Sequence, residues 1–170
     1  MAEYRSQDQK SRFEKALQAI ARTRLGGWLF VNVFPAIDRR LLPLTGGRLK
    51  VAVGQPILLL HTRGAKSGQA RTTPLLYTPQ GEGFVVVASK AGAASHPAWF
   101  HNLRAHPDEV AVDVGRRHLA VRARVVEGAE RDALWDRVND NYNGYGTYQR
   151  RAGQRVIPVV LLEPAEPAPA

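Results

Sequence analysis

Residues 49–88 decide the fold, and their sequence is LKVAVGQPILLLHTRGAKSGQARTTPLLYTPQGEGFVVVA. Short runs of valine, leucine and threonine alternate there with glycine, proline and polar residues, which is typical of β-strands joined by tight turns. We predict strands at Leu49–Val53, Ile57–Arg63, Arg71–Thr78 and Phe84–Ala88, with a hairpin turn at Gly81–Gly83. This stretch therefore predicts a mainly β domain.

The remainder of the chain adds helices and further strands. Ser95–His106 is predicted to be a helix with Ser95 as its N-cap and Pro97 in its first turn. Glu127–Tyr142 is predicted to be a second helix, because apolar residues recur on one side and acids fill its opening turns. Further strands are expected at Val110–Val114, His118–Val126 and Arg155–Leu162. About six short strands with two inserted helices fit a mostly antiparallel barrel with helices outside it, not a doubly wound parallel sheet.

The 170 residues are the size of one domain. We assign residues 49–164 to the barrel, residues 1–48 to an N-terminal helical segment, and residues 165–170 to a disordered Pro/Ala tail. Ser11 and Glu14 are predicted to form a capping box that starts the N-terminal helix. Trp28–Phe34 is too short to span a bilayer. This segment either packs its apolar stripe on the domain or lies at a membrane surface with Trp28, Phe30 and Phe34 in the lipid.

The composition limits the functions open to the protein. The formal net charge is +9 and cysteine is absent, which excludes a thiol nucleophile and a cysteine-ligated metal. The positive charge favours a phosphorylated small molecule or a membrane surface; no nucleic-acid motif occurs, so no nucleic-acid partner is expected. His96, His101 and His106 do not share one helix face, and no metal site is expected. The polar start of the chain does not resemble a secretory signal, so we expect a cytoplasmic protein, or one at the inner face of the membrane.

Two stretches have the residue types that bind anions. The loop between the second and third predicted strands contains two glycines together with Lys66, Ser67 and Arg71, which suit a phosphate or carboxylate. The alternative is a solvated basic hairpin. Lys90 follows an apolar strand and precedes a helix N-terminus, whose N–H groups also favour a phosphate. Aromatic residues such as Trp99 and Phe100 in that helix more often pack in a core than contact a ligand.

Tyrosines are concentrated after the second helix. Tyr142, Tyr145 and Tyr148 lie three residues apart in a glycine-containing segment, which we interpret as an adaptable lid over a flat ligand. The alternative is a tyrosine cluster that seals one end of the barrel. No Gly-x-Ser-x-Gly elbow, carboxylate pair or cysteine is present, so redox or other demanding chemistry would come from a cofactor.

Three stretches in this order resemble the deazaflavin-dependent nitroreductase family, whose members use coenzyme F420. They are GAKSGQARTTPL from Gly64, VASKAG from Val87 followed by HPAWFHNL from His96, and YQRR from Tyr148 followed by IPVV. The resemblance implies a split β-barrel. It also implies an F420H2-dependent reductase that transfers a hydride to a small-molecule acceptor, namely a quinone, an activated enone or a nitroaromatic. An FMN-binding split-barrel reductase and a non-catalytic carrier of deazaflavin or another apolar ligand remain as alternatives.

Matching positions imply the roles of individual residues. The cofactor's phosphate and tail would be bound by Lys66, Ser67, Arg71, Thr72, Thr73, Pro74, Leu75 and Leu76. Its ring and phosphate would be lined by Val87, Ala88, Ser89, Lys90, Ala98, Trp99, Phe100, His101 and Asn102. Tyr145 matches a cofactor-contacting tyrosine, Tyr142 and Tyr148 match tyrosines near the substrate, and Ser89 matches a serine close to the reacting ring. Ala65 stands where the family often has an arginine, which implies weaker contact with the anionic tail.

Overall fold

The computed structural model describes residues 56–165. The described part contains seven strands and three α-helices. The strands are β1 (Ile57–Arg63), β2 (Ala70–Leu76), β3 (Thr78–Gln80), β4 (Gly83–Val87), β5 (Ala111–Val114), β6 (Arg117–Val125) and β7 (Val159–Pro164). The helices are α1 (Ala98–Ala105), α2 (Gly128–Asn141) and α3 (Gly144–Arg151), and a single 3-10 turn lies at Lys90–Gly92. None of the helices within residues 56–165 has the length and apolar character needed to span a membrane.

The strands form one sheet in the order β2-β1-β5-β6-β7-β4-β3, with every described pairing antiparallel. β6 is the strand that bends the sheet. Arg117–Ala120 pairs with β5, and Val121–Val125 pairs with β7. β2 also contacts β4 across the open side, so the sheet curls into a split barrel. The predicted mostly antiparallel barrel is confirmed.

Two apolar cores lie on opposite faces of β4 and β7. One fills the barrel and includes Leu58, Leu60 and Val112 together with Trp99 of α1. The other lies outside the barrel, where Val85, Val87 and Leu161 and their neighbours meet the buried faces of α2 and α3. All five residues of β4 are buried. This explains its continuous Phe-Val-Val-Val sequence, since alternation is expected only where one face is solvated.

Most predicted boundaries are close to those observed, and Ile57–Arg63 is confirmed without change. The predicted strand Arg71–Thr78 is two strands, β2 and β3, because Tyr77 interrupts the ladder. Ser95 does not cap α1, since the helix begins after Pro97. The last strand begins at Val159 rather than Arg155. The N-terminal helix, the strand at Leu49–Val53 and residues 166–170 of the tail lie outside the described residues.

The segment interpreted as a glycine-rich lid is the helix α3. Its first turn is held by Asn139 of α2, whose Oδ1 accepts a hydrogen bond of 2.8 Å from the N–H of Gly146. Gly144 is needed because a Cβ there would overlap the ring of Tyr142. The three tyrosines are buried in the outer core. The segment is therefore a helix packed on the outer core and not an irregular glycine-rich loop.

Candidate functional site

Two hollows meet on one side of the barrel. The larger, about 1020 Å³, is a groove between the β1–β2 loop and α1. The smaller, about 140 Å³, is a chamber bounded by the ends of β2 and β4 and by the tyrosine cluster. Thr73 and Trp99 line both. The two hollows therefore adjoin at these residues, and we treat them as one site with a polar end, the groove, and a more apolar end, the chamber.

The loop that forms the polar end is held by its own backbone. The N–H of Gly64 donates to the carbonyl of Gln69, and the N–H of Gly68 donates to the carbonyl of Gly64, both at 2.8 Å. Gly68 has a φ of +64°, which glycine adopts without strain. A Cβ at Gly64 would lie 2.6 Å from Ser67 Oγ. The two glycines therefore permit this compact turn.

Asn102 of α1 joins this loop to the helix. Its Oδ1 accepts a hydrogen bond of 3.0 Å from the N–H of Ala65, and its Nδ2 donates to Thr62 Oγ1 at 3.3 Å. Asn102 is buried, and these two hydrogen bonds compensate for the loss of water around its polar side chain. Because it lines the groove as well, Asn102 fixes the distance between the groove's two walls.

Three cations face the site. Lys66 and Arg71 line the groove, and Lys90 lines the chamber. Arg71 donates to Gln69 Oε1 at 3.1 Å, and Lys90 donates to Ser95 Oγ at 2.9 Å. Among residues 56–165 no carboxylate forms an ion pair with any of the three. Their charge is therefore available to anions on two separate loops.

The chain after β4 is strained where it meets the chamber. Lys90 and Ala91 have φ values of +48° and +52°, and Gly92 follows at +82°. The left-handed region costs a residue with a side chain about 1–2 kcal/mol. A Cβ on Gly92 would lie 2.6 Å from the carbonyl oxygen of Tyr148. The turn carrying Lys90 is therefore pressed against α3, and other contacts must hold it there.

Arg155 supplies those contacts. Its guanidinium donates to the carbonyls of Ala88, Ser89 and Ala93 at 3.2, 2.8 and 2.9 Å. It also lies 3.3 Å from Nδ1 of His96. Burial lowers the pKa of Arg155 from its ordinary value, though the group remains charged. The sequence gives only a weak signal for this residue, a charge before an apolar run, which does not identify its contacts.

The guanidinium of Arg155 also affects the pKa of His96. Burial lowers the pKa of His96 first, and the neighbouring positive charges of Arg155, His101 and Arg104 lower it further. A neutral imidazole can accept a hydrogen bond on Nδ1, which is the atom that faces Arg155. The segment from residue 88 to residue 96 thus surrounds one half-buried cation, Arg155.

The apolar end of the site is lined by the tyrosine cluster, defined as Tyr142, Tyr145 and Tyr148. The hydroxyls of Tyr142 and Tyr148 lie 2.9 Å apart and share a hydrogen bond. The ring of Tyr145 meets that of Tyr142 edge to face at 5.1 Å. Burial raises the pKa of Tyr145, so its hydroxyl stays protonated. The phenol groups that line the chamber are therefore held in place by packing and do not lie on an irregular loop.

Most residues singled out from the sequence come together here. The groove is lined by Lys66, Ser67, Arg71, Thr72, Thr73, Ala98, Trp99, His101 and Asn102. The chamber is lined by Thr73, Pro74, Leu75, Leu76, Val87, Ser89, Lys90, Trp99, Tyr142, Tyr145 and Tyr148. Ala88 and Phe100 lie in the barrel core and line neither hollow. Gly64 and Ala65 of the predicted anion-binding loop also line the groove, and the lining residues to which the sequence assigned no ligand contact are Ala70, Ala91 and Pro97.

Comparison with known proteins places this arrangement in a family. Residues 33–164 match the F420H2-dependent quinone reductase family. An F420H2-dependent quinone reductase from Mycobacterium tuberculosis is 45% identical over 123 residues, covering 69% of this chain and 81% of the relative.

Two solved structures are also similar. An F420H2-dependent reductase, FDR-A, has a TM-score of 0.58 and 39% identity over 64% of this chain and 94% of its own. A chain described as a domain-swapped dimer has a TM-score of 0.60 and 36% identity, covering 75% of this chain and 96% of that chain. The split β-barrel agrees with the structural match to FDR-A. The chain belongs to the F420H2-dependent quinone reductase family.

Proposed function

We propose that the protein binds reduced coenzyme F420 along the joined hollows and transfers a hydride from it to a quinone held against the tyrosine cluster. The observation that carries this proposal is that the two hollows adjoin, with Thr73 and Trp99 lining both. A flat ring in the chamber and an anionic tail in the groove would then belong to one molecule. Reduced F420 supplies a hydride from a ring carbon and reacts poorly with oxygen.

The chemistry of the groove fits this cofactor. F420 carries a phosphate and a carboxylate-bearing tail, so it needs cations at more than one place. Lys66 and Arg71 would bind anions at the β1–β2 loop, while Lys90 would bind one at the end of β4. FMN has one phosphate and no carboxylate tail, so it would leave part of this cation set without a partner. The donor set therefore favours the deazaflavin.

The chamber would position the acceptor. Pro74, Leu76, Val87 and Trp99 provide apolar walls that suit a flat ring and exclude water. Holding the acceptor next to the donor ring is mainly a proximity effect. Ser89 lies at the end of β4, where the strained turn begins, and would lie near the reacting ring.

The hydroxyls of Tyr142 and Tyr148 would act on the acceptor oxygen. A phenol both donates and accepts hydrogen bonds, so one hydroxyl can stabilise its neighbour while the neighbour donates to the substrate. Negative charge builds on a quinone oxygen as the hydride arrives, and a fixed donor there lowers the barrier. Because the pair is buried, it needs little reorganisation during the reaction.

Membrane contact is a further part of the proposal and concerns residues outside 56–165. The apolar run Trp28–Phe34 and the arginines around it would suit a lipid-soluble quinone at the inner face of the membrane. This assignment depends on the sequence pattern alone.

The test is an assay of purified protein with reduced F420 and a panel of acceptors. We expect oxidation of reduced F420 with quinones, and F420 binding at least tenfold tighter than FMN binding. Tight F420 binding without turnover of any quinone, enone or nitroaromatic would identify a carrier instead. Preferential FMN binding would reject the cofactor assignment.

A further inference from the structure

A cluster of metal-ligating side chains lies on the outer face of the sheet. It consists of His61 on β1, Asp113 on β5 and His118 on β6, and none of the three lines either hollow. The register brings them together. Asp113 is opposite His118 in the β5–β6 hairpin and opposite Leu59 on β1, and His61 is two residues beyond Leu59 on the same face.

The cluster is compact and rigidly supported. Asp113 Oδ2 lies 2.8 Å from Nε2 of His61, and Asp113 Oδ1 lies 2.6 Å from Nδ1 of His118. The centroids of the two imidazole rings are 5.5 Å apart. All three residues stand on neighbouring hydrogen-bonded strands, so the backbone fixes their separation.

We propose that His61, Asp113 and His118 bind a divalent transition-metal ion of the zinc type. Two imidazole nitrogens and one carboxylate oxygen are a set that such ions prefer, with water completing the coordination. Ligand atoms about 2.0–2.1 Å from a tetrahedral ion are about 3.3 Å apart. The two oxygen–nitrogen separations would widen by about 0.5–0.7 Å to reach that value. The three ligand atoms already lie within 4.8 Å of one another, so the widest separation would narrow.

Thr72 supports the required form of His61. Coordination through Nε2 requires the proton on Nδ1, and Thr72 Oγ1 lies 3.1 Å from that nitrogen. In the absence of metal, each imidazole pairs with Asp113 through an N–H. Metal binding replaces those N–H groups, and each displaced proton goes to the other ring nitrogen or to solvent. A bound ion would tie the β1–β2 hairpin, which carries Lys66 and Arg71, to the β5–β6 hairpin.

The test uses the full chain with any affinity tag removed. Zinc binding would be measured by titration calorimetry and by the shift in unfolding temperature. We expect one saturable site and a raised unfolding temperature, and His118→Ala and Asp113→Asn should each weaken binding more than about tenfold. His118 is mostly exposed, with 68% of its side chain accessible, so its removal should leave the fold intact.

His106→Ala is the matched control, because His106 also lies beside a carboxylate, 3.8 Å from Glu109, but without a second imidazole in the pair. It should bind zinc like the parent. The proposal is overturned if the parent shows no saturable binding up to about 1 mM zinc. It is also overturned if His118→Ala and Asp113→Asn, each folded as judged by circular dichroism, bind like the parent. Loss of binding in His106→Ala would place the site elsewhere.

Discussion

The hydroxyl of Tyr142 is the residue-scale feature on which turnover should depend most. It hydrogen-bonds Tyr148 within the buried cluster at 2.9 Å. Tyr142→Phe keeps the ring and removes the donor, so we expect hydride transfer to a quinone to slow by about 10²-fold. F420 affinity should stay within a few-fold of the parent. Single-turnover oxidation of reduced F420 measures the first quantity, and fluorescence titration measures the second.

Tyr77→Phe is the matched control for that experiment. Tyr77 is a buried tyrosine that packs edge to face on Phe84 in the barrel core and lines neither hollow. Its loss of a hydroxyl should leave the rate unchanged. Full rates in both Tyr142→Phe and Tyr148→Phe with every acceptor would mean that the tyrosines are structural.

Arg155 acts one step away from the ligand, as a positioning residue. Arg155→Ala removes the donors that hold Ala88, Ser89 and Ala93, so the strained turn at Lys90 should relax. We expect F420 binding to weaken by about tenfold, because Lys90 loses its place. Arg155→Lys keeps the charge without the three-way fork and should recover only part of the affinity.

A local readout distinguishes this role from general destabilisation. A neighbouring positive charge disfavours protonation, so removing Arg155 should raise the pKa of His96 toward its ordinary value. Proton NMR titration of the folded variant measures this change. Arg150→Ala should leave the pKa of His96 where it is. An unchanged pKa in Arg155→Ala would contradict the contact on which the positioning role depends.

At the scale of elements, the turn Lys90–Gly92 and helix α3 are fitted to each other. Gly92 has a φ of +82°, and its Cα faces the backbone of Tyr148. Gly92→Ala should therefore destabilise the fold by about 2–4 kcal/mol, combining left-handed strain with overpacking. F420 affinity should fall as well.

Gly115→Ala isolates the strain alone. Gly115 has a φ of +63° in the β5–β6 turn, and nothing lies within 4 Å of a Cβ there. Gly115→Ala should lower the free energy of unfolding, measured with urea, by about 1–2 kcal/mol and leave F420 affinity unchanged. If the two variants lose the same stability, the contact between the turn and α3 is not tight.

Most strands and the helices α1 and α2 could be predicted from the sequence, whereas α3 could not. The strand Ile57–Arg63 could be predicted because its apolar residues are bounded by a proline and a glycine. This signal lies within the segment itself and does not depend on contacts with distant residues. Asn143–Gln149 contains two glycines, which have low helix propensity, and its helix depends on Asn139 and on packing around Tyr142. Likewise, His61, Asp113 and His118 come from three strands, so their spacing along the chain carries no ligand signature.

At the scale of the whole molecule, the N-terminal sequence allows two roles, packing on the domain or contact with a membrane, and we propose the second because its apolar run would suit a lipid-soluble quinone. We expect the full chain to cosediment with anionic phospholipid vesicles, and the triple variant Trp28→Ser, Phe30→Ser, Phe34→Ser to lose this binding. Turnover of a long-chain quinone in vesicles should fall, while F420 affinity stays the same. The prediction is contradicted if the parent chain does not bind the vesicles. If the triple variant loses turnover and F420 affinity equally, the segment packs on the domain instead.

Binding of the F420 tail in the groove is tested by the F420 affinity of Lys66→Ala and Arg71→Ala. Both cations line the groove and have no carboxylate partner within residues 56–165. Each charge-assisted contact is worth about 1.5–3 kcal/mol, so each variant should bind F420 about tenfold or more weakly than the parent. Arg116→Ala, in the exposed β5–β6 turn, should bind like the parent. Unchanged affinity in both Lys66→Ala and Arg71→Ala would contradict the assignment of the groove to the cofactor's anionic tail.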